Sequence, residues 1–119
     1  MTRWLYDRSG LPALIIHRGA FFSPQGKHLG WLERGAAFDC YGRHIGWYEQ
    51  GVLYDALNCA VAFLDDASGY TPSRPGLTGA PGVPGLPGLP GRPGFPGVPG
   101  RPGYGGWSPT SPQDVFESS

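Results

Sequence analysis

Bulky and flexible positions recur along the first part of the chain with a spacing of sixteen. Tyr6, Phe22, Phe38 and Tyr54 follow one another at that interval without insertion, and four residues after each comes Gly10, Gly26, Gly42 or Asn58. A second column, Gly19, Gly35 and Gly51, ends the segments HRG, ERG and EQG, with Ala67 in the fourth unit. Between the two columns run segments such as KHLGWLE and RHIGWYE. In these, Leu29 and Trp31, or Ile45 and Trp47, alternate with His28 and Gly30, or His44 and Gly46. A period of two is the signature of a strand, because successive side chains leave a pleated backbone on opposite faces.

The two columns read as turns at opposite ends of a hairpin. Asp7, Ser23, Asp39 and Asp55 follow the aromatic residues, and each can offer a side-chain oxygen to the backbone two residues on. The glycine column supplies a left-handed backbone, and asparagine is the non-glycine residue that most readily does the same. Tracing turn to turn predicts eight strands, near residues 3–6, 11–16, 20–22, 27–32, 36–38, 43–48, 52–54 and 59–63. The predicted fold class is all-β: four repeated β-hairpins closing into a small barrel or flower-like domain. Alternation places three columns in the predicted core: Ala13, Leu29, Ile45 and Val61; Ile15, Trp31, Trp47 and Phe63; and Tyr6, Phe22, Phe38 and Tyr54. The same reading sends Gly30, Gly46 and Ala62 to the outer face.

After Ser73 the pattern changes. From Gly76 to Gly103 glycine holds every third position, ten times in all, and proline precedes the next glycine in eight of the nine triplets. Only glycine fits at the axis of a collagen triple helix, so the unbroken period makes a homotrimer through this segment one reading. The other is a single-chain polyproline II or disordered tether, which would reach ~90 Å over thirty residues if stretched. Three segments result: a four-hairpin domain at 1–69, a Gly-X-Pro collagen-like or proline-rich linker at 70–106, and a short C-terminal peptide at 107–119. In that peptide Trp107 and Phe116 are candidate anchors for the head, a neighbouring chain or a separate protein partner.

Together, aromatic-Asp-x-x-Gly, Gly-Trp and a glycine turn over residues 3–68, followed by a proline-rich linker and GWSPTSPQDVF, resemble the four-fold β-flower domain, a small bacterial module of repeated hairpins. The resemblance implies a β head, a linker and a short C-terminal end, and no established enzymatic activity. This chain departs from the pattern at Asn58, at Ala13–Ile15 where the Gly-Trp pair is missing, and in the regularity of its glycines.

Charge and candidate chemistry narrow the function without naming it. Nine basic residues balance nine acidic ones, six against seven in the head and three against two in the tail. No basic stripe forms, which argues against nucleic acid as a partner. Hydrophobic runs such as Leu11–Ile16 are too short to span a bilayer, and a signal pattern is interrupted by Asp7 and Arg8, so the expectation is a cytoplasmic protein without a membrane partner. The carboxylates Asp7, Asp39, Asp55, Glu33 and Glu49 occupy repeat-equivalent turns, where one shared environment does not split pKa values as a catalytic pair requires. His28 and His44 share a column but lack further ligands, and Cys40 and Cys59 lack the spacing of a zinc or redox site. No phosphate-cradling loop or nucleophile elbow is present. The expectation is therefore a non-enzymatic interaction or structural module without a cofactor, the alternative being a barrel that holds a small molecule or carbohydrate on its aromatic side chains.

Overall fold

In the computed structural model, which describes residues 2–117, eight strands follow the turn-to-turn spacing. They are β1 (Thr2–Tyr6), β2 (Pro12–His17), β3 (Ala20–Phe22), β4 (His28–Glu33), β5 (Ala36–Asp39), β6 (His44–Glu49), β7 (Val52–Asp55) and β8 (Ala60–Phe63). Of the segments expected at 1–69 and 107–119, Met1, Ser118 and Ser119 lie outside the described residues. Each strand pairs antiparallel with the next, and Tyr6 opposite Phe63 joins β1 to β8, so the sheet closes into a barrel. A short helix, α1 (Pro112–Glu117), follows near the C-terminus.

Turn chemistry builds one end of the barrel. The Asp39 carboxylate accepts hydrogen bonds from the Tyr41 and Arg43 amides at 2.9 and 3.0 Å. Asp7 and Asp55 hold their own turns in the same way, and Ser23 Oγ accepts from the Lys27 amide. Gly10, Gly26, Gly42 and Asn58 all have positive φ, with Asn58 at 61°. At the other end, Arg18–Gly19, Arg34–Gly35 and Gln50–Gly51 each place two successive residues at positive φ, the geometry of tight hairpin turns.

After each of the four turns at this end the ladder slips by one residue, skipping Ala13, Leu29, Ile45 and Val61 in turn. These are β-bulges, which bend the strand and help a small sheet close. The bulge turns its side chain inward: Leu29 and Val61 belong to the cluster that fills the barrel, and Ile45 packs against it.

The other two predicted core columns face the opposite way. The barrel interior is filled by Leu5, Phe21, Ala37 and Leu53, with Leu14 and Ala62 in the column that also holds Gly30 and Gly46. The rings of Tyr6, Phe22, Phe38 and Tyr54, with Ile15, Trp31, Trp47 and Phe63, form three separate clusters on the outside of the sheet. The physical reason is space. An eight-stranded barrel has room inside only for closely fitted side chains; the leucines, Ala37, Ala62 and the rings of Phe21 and Phe116 fill it, and the two repeated columns of rings are left outside.

Those outward rings are nevertheless buried, with Trp31 at 2% and Trp47 at 7% exposure. Leu86, Leu89 and Phe95 of the glycine- and proline-rich segment, which lies against the barrel rather than extending from it, cover the Trp31 and Trp47 clusters, and Trp4, Ala67 and Trp107 pack on the cluster of Tyr6, Tyr54 and Phe63. The whole chain has a radius of gyration of 13.1 Å and spans 37 × 36 × 23 Å. That agrees with the ~13 Å expected of a compact domain of this length and leaves no room for an extended tether.

Candidate interaction surface

Three rows of contact hold the segment around the barrel, and each advances nine residues in the segment for sixteen in the barrel. In the first row, a Cβ on Gly26 would stand 3.0 Å from the Gly85 carbonyl oxygen and one on Gly42 would stand 2.9 Å from that of Gly94. Gly10 meets the Gly76 carbonyl in the same manner. The fourth position is Asn58, whose amide donates to the Pro102 carbonyl at 2.9 Å and whose Oδ1 accepts from Arg101 Nε at 2.8 Å. Its side chain thus replaces close backbone approach with two hydrogen bonds.

The second row is cationic. Arg92 stacks over Trp31 at 4.8 Å, Arg101 lies over Trp47 at 5.8 Å and Tyr54 at 4.9 Å, and Arg74 stacks over Phe63 at 5.4 Å. The remaining position in this spacing is Val83, and the remaining member of the barrel column is Ile15, which has no ring to stack on. Each arginine is also tied at its head: Arg92 to Glu33 at 2.8 Å, Arg101 to Glu49 at 3.2 Å, and Arg74 to the carbonyls of Ala67 and Gly69. A cation over an aromatic face contributes ~0.5–2 kcal/mol, more where water is excluded.

The third row is Leu86, Phe95 and Tyr104, with Leu77, 40% exposed, at the fourth position of the spacing. Leu86 packs on the Phe22 and Trp31 cluster, Phe95 on Phe38 with centroids 4.5 Å apart, and Tyr104 on Tyr54 at 5.4 Å. Burial, with Tyr104 and Glu49 alongside, pushes the Tyr54 phenol up to about 12. The hydrogen bond from Tyr104, aided by Arg101, lowers the Glu49 carboxyl below its usual range. Two backbone bonds pin the ends of the belt: the Thr78 amide donates to Gly10 O, and the Gly105 amide to Asn58 O, both at 3.0 Å.

Beyond the belt, the C-terminal peptide also seats on the barrel. Trp107 bridges to Ala60 and packs on Phe63 at 5.9 Å. From α1, Phe116 enters the interior cluster beside Phe21 at 5.1 Å, and Lys27 pairs with Glu117 at 2.6 Å. Gly30 is what admits it, because a Cβ there would meet the Phe116 ring at 2.7 Å. The aromatic and glycine positions read from the repeat are therefore gathered into one arrangement. Tyr6, Phe22, Phe38, Tyr54, Trp31 and Trp47 lie outside the sheet, Gly10, Gly26 and Gly42 meet belt carbonyls, and Gly19, Gly35 and Gly51 form the opposite turns.

Little of the remaining chemistry converges. Cys40 Sγ lies 3.5 Å from His28 Nδ1. Burial raises the thiol and lowers the imidazole, so both stay neutral, the reverse of an activated nucleophile. Among the described residues no three His, Cys, Asp or Glu side chains are placed to hold a metal, and no helix is long and apolar enough to cross a membrane.

Closed four-fold repetition with a C-terminal anchor finds its counterpart in one family model, described as 4-fold beta flower protein, which matches residues 3–116. The chain belongs to the 4-fold beta flower family. That description names an architecture and no activity, so the family accounts for the barrel and leaves its use to the surface. Neither the curated proteins nor the solved structures offer a match.

The belt contacts of this β-flower were missed by reasoning from the sixteen-residue repeat alone. Their signal is nevertheless present in the tail: within the three-residue glycine period, arginine recurs at 74, 92 and 101 and large apolar residues at 77, 86, 95 and 104. A period of nine nested in a period of three is what a chain needs to meet four equivalent hairpins in turn.

Proposed function

We propose that this protein is a non-enzymatic interaction module whose barrel recognises an extended glycine- and proline-rich segment, with its own residues 74–106 as the resident occupant. The observation that carries this reading is the matched register of the three rows, above all Arg92 on Trp31 and Arg101 on Trp47. Aromatic-lined grooves that dock proline-rich chains are a recurrent recognition mode, because such chains lose little conformational freedom on binding. In this reading the segment is a strap rather than a tether, and the closed chain is a monomer. A homotrimer through the Gly-X-Y triplets is the competing use of the same residues, and it requires the strap to leave the barrel.

The test uses the full chain carrying Arg92→Ala and Arg101→Ala, which weakens the strap and leaves the barrel untouched. A fluorescent peptide of residues 82–106 should bind this variant at least ~10-fold more tightly than it binds the native chain, whose tethered occupant competes at roughly millimolar effective concentration. Adding Trp47→Ala should abolish the difference. Equal binding to native and weakened chains would count against the reading.

A further inference from the structure

Between the strap and the barrel one seat is underfilled. Where Leu89 packs into the cluster of Ala20, Phe22 and Trp31, the residue nine positions on is Val98, which stays 46% exposed and does not join the cluster of Ala36, Phe38 and Trp47. The result is a pocket of about 420 Å³ bounded by Ala36, Phe38, Phe95 and Val98, with Glu33 and Arg34 at its edge. Its size falls within the ~300–1,000 Å³ of small-molecule sites. Phe38 and Phe95, tilted by 35° at 4.5 Å, present ring surface to it.

The edge is asymmetric in charge. Glu33 is engaged by Arg92 at 2.8 Å, whereas the Arg34 side chain is 92% exposed and among the described residues its one carboxylate contact is Glu33 at 3.8 Å. Arg34 holds φ at 51°, the tight-turn backbone it shares with Arg18 and Gln50, which fixes its side chain at the end of the hairpin. A largely exposed guanidinium, held only by a long 3.8 Å contact with a carboxylate that Arg92 also engages, therefore stands beside an apolar, ring-walled space.

We infer that this pocket is a binding site for a small planar aromatic carboxylate, whose ring packs against Phe38 and Phe95 and whose carboxylate pairs with Arg34. The site rests on the strap reading, because Phe95 and Val98 form its outer wall. It adds a ligand class that the strap reading does not supply.

The experiment titrates the full chain with 2-naphthoate and with neutral 2-naphthylmethanol, following amide shifts by NMR and heat by calorimetry. Expected is saturable binding of naphthoate with shifts centred on Ala36 and Gly97. Arg34→Gln should weaken naphthoate by about tenfold, the loss of one charge-assisted contact, and leave the alcohol unchanged. Val98→Leu, which restores the residue found at 89, should remove binding of both while preserving the fold. Exchange protection of the Thr78 and Gly105 amides reports whether the strap is seated. Protected amides without saturable binding, or binding that survives Val98→Leu, overturn the pocket alone. Unprotected amides overturn the pocket and the strap together.

Discussion

At the scale of single residues, glycine serves two different purposes in this chain, and substitution separates them. Gly42 has φ of 86° and meets the Gly94 carbonyl, so a side chain is penalised by backbone and by contact. Gly91 has no atom within 4 Å of where a Cβ would stand. Gly42→Ala should cost ~2 kcal/mol in urea unfolding, combining left-handed strain with displacement of the strap. Gly91→Ala should be nearly neutral for a strapped monomer, whereas a triple helix would lose association and melt earlier. A large effect at Gly91 with none at Gly42 would contradict the account. Asn58 shows what the repeat could reveal and what it could not. Its left-handed backbone follows from its place in the glycine column, but its bonds to Arg101 and Pro102 depend on a segment more than forty residues away.

Strands and turns were legible because local chemistry writes them. Period-two alternation and the Asp-x-x-Gly motif place every strand end within one residue of its observed position. Which face turned inward was not legible. Alternation identifies a core face only when the other face is wet, and here large apolar side chains occupy one face while a second apolar set fills the barrel. The bulge column alone kept its predicted direction, since Leu29 and Val61 are carried inward by the slip in register. α1 adds a separable element. Phe116 is 3% exposed and packs in the interior against Phe21, so Phe116→Ala should destabilise the chain by ~3–4 kcal/mol, the usual loss for a buried ring. A loss below 1 kcal/mol in denaturant titration, taken as roughly the level of a surface substitution, would mean that the helix does not plug the barrel.

For the whole molecule, the governing relation is the match of two periods, sixteen residues around the barrel and nine along the strap. It explains how a domain of modest core covers eight large outward residues with its own chain, and why arginine returns in the tail opposite rings and is absent opposite Ile15. Small-angle scattering on the intact chain tests this most directly, because it reads mass and size together. The account predicts a particle of 12.7 kDa with a radius of gyration close to the 13.1 Å of the strapped chain. A monomer of ~20 Å or more, as a tail extended at ~3.1 Å per residue would give, or a particle of three times the mass, would contradict it.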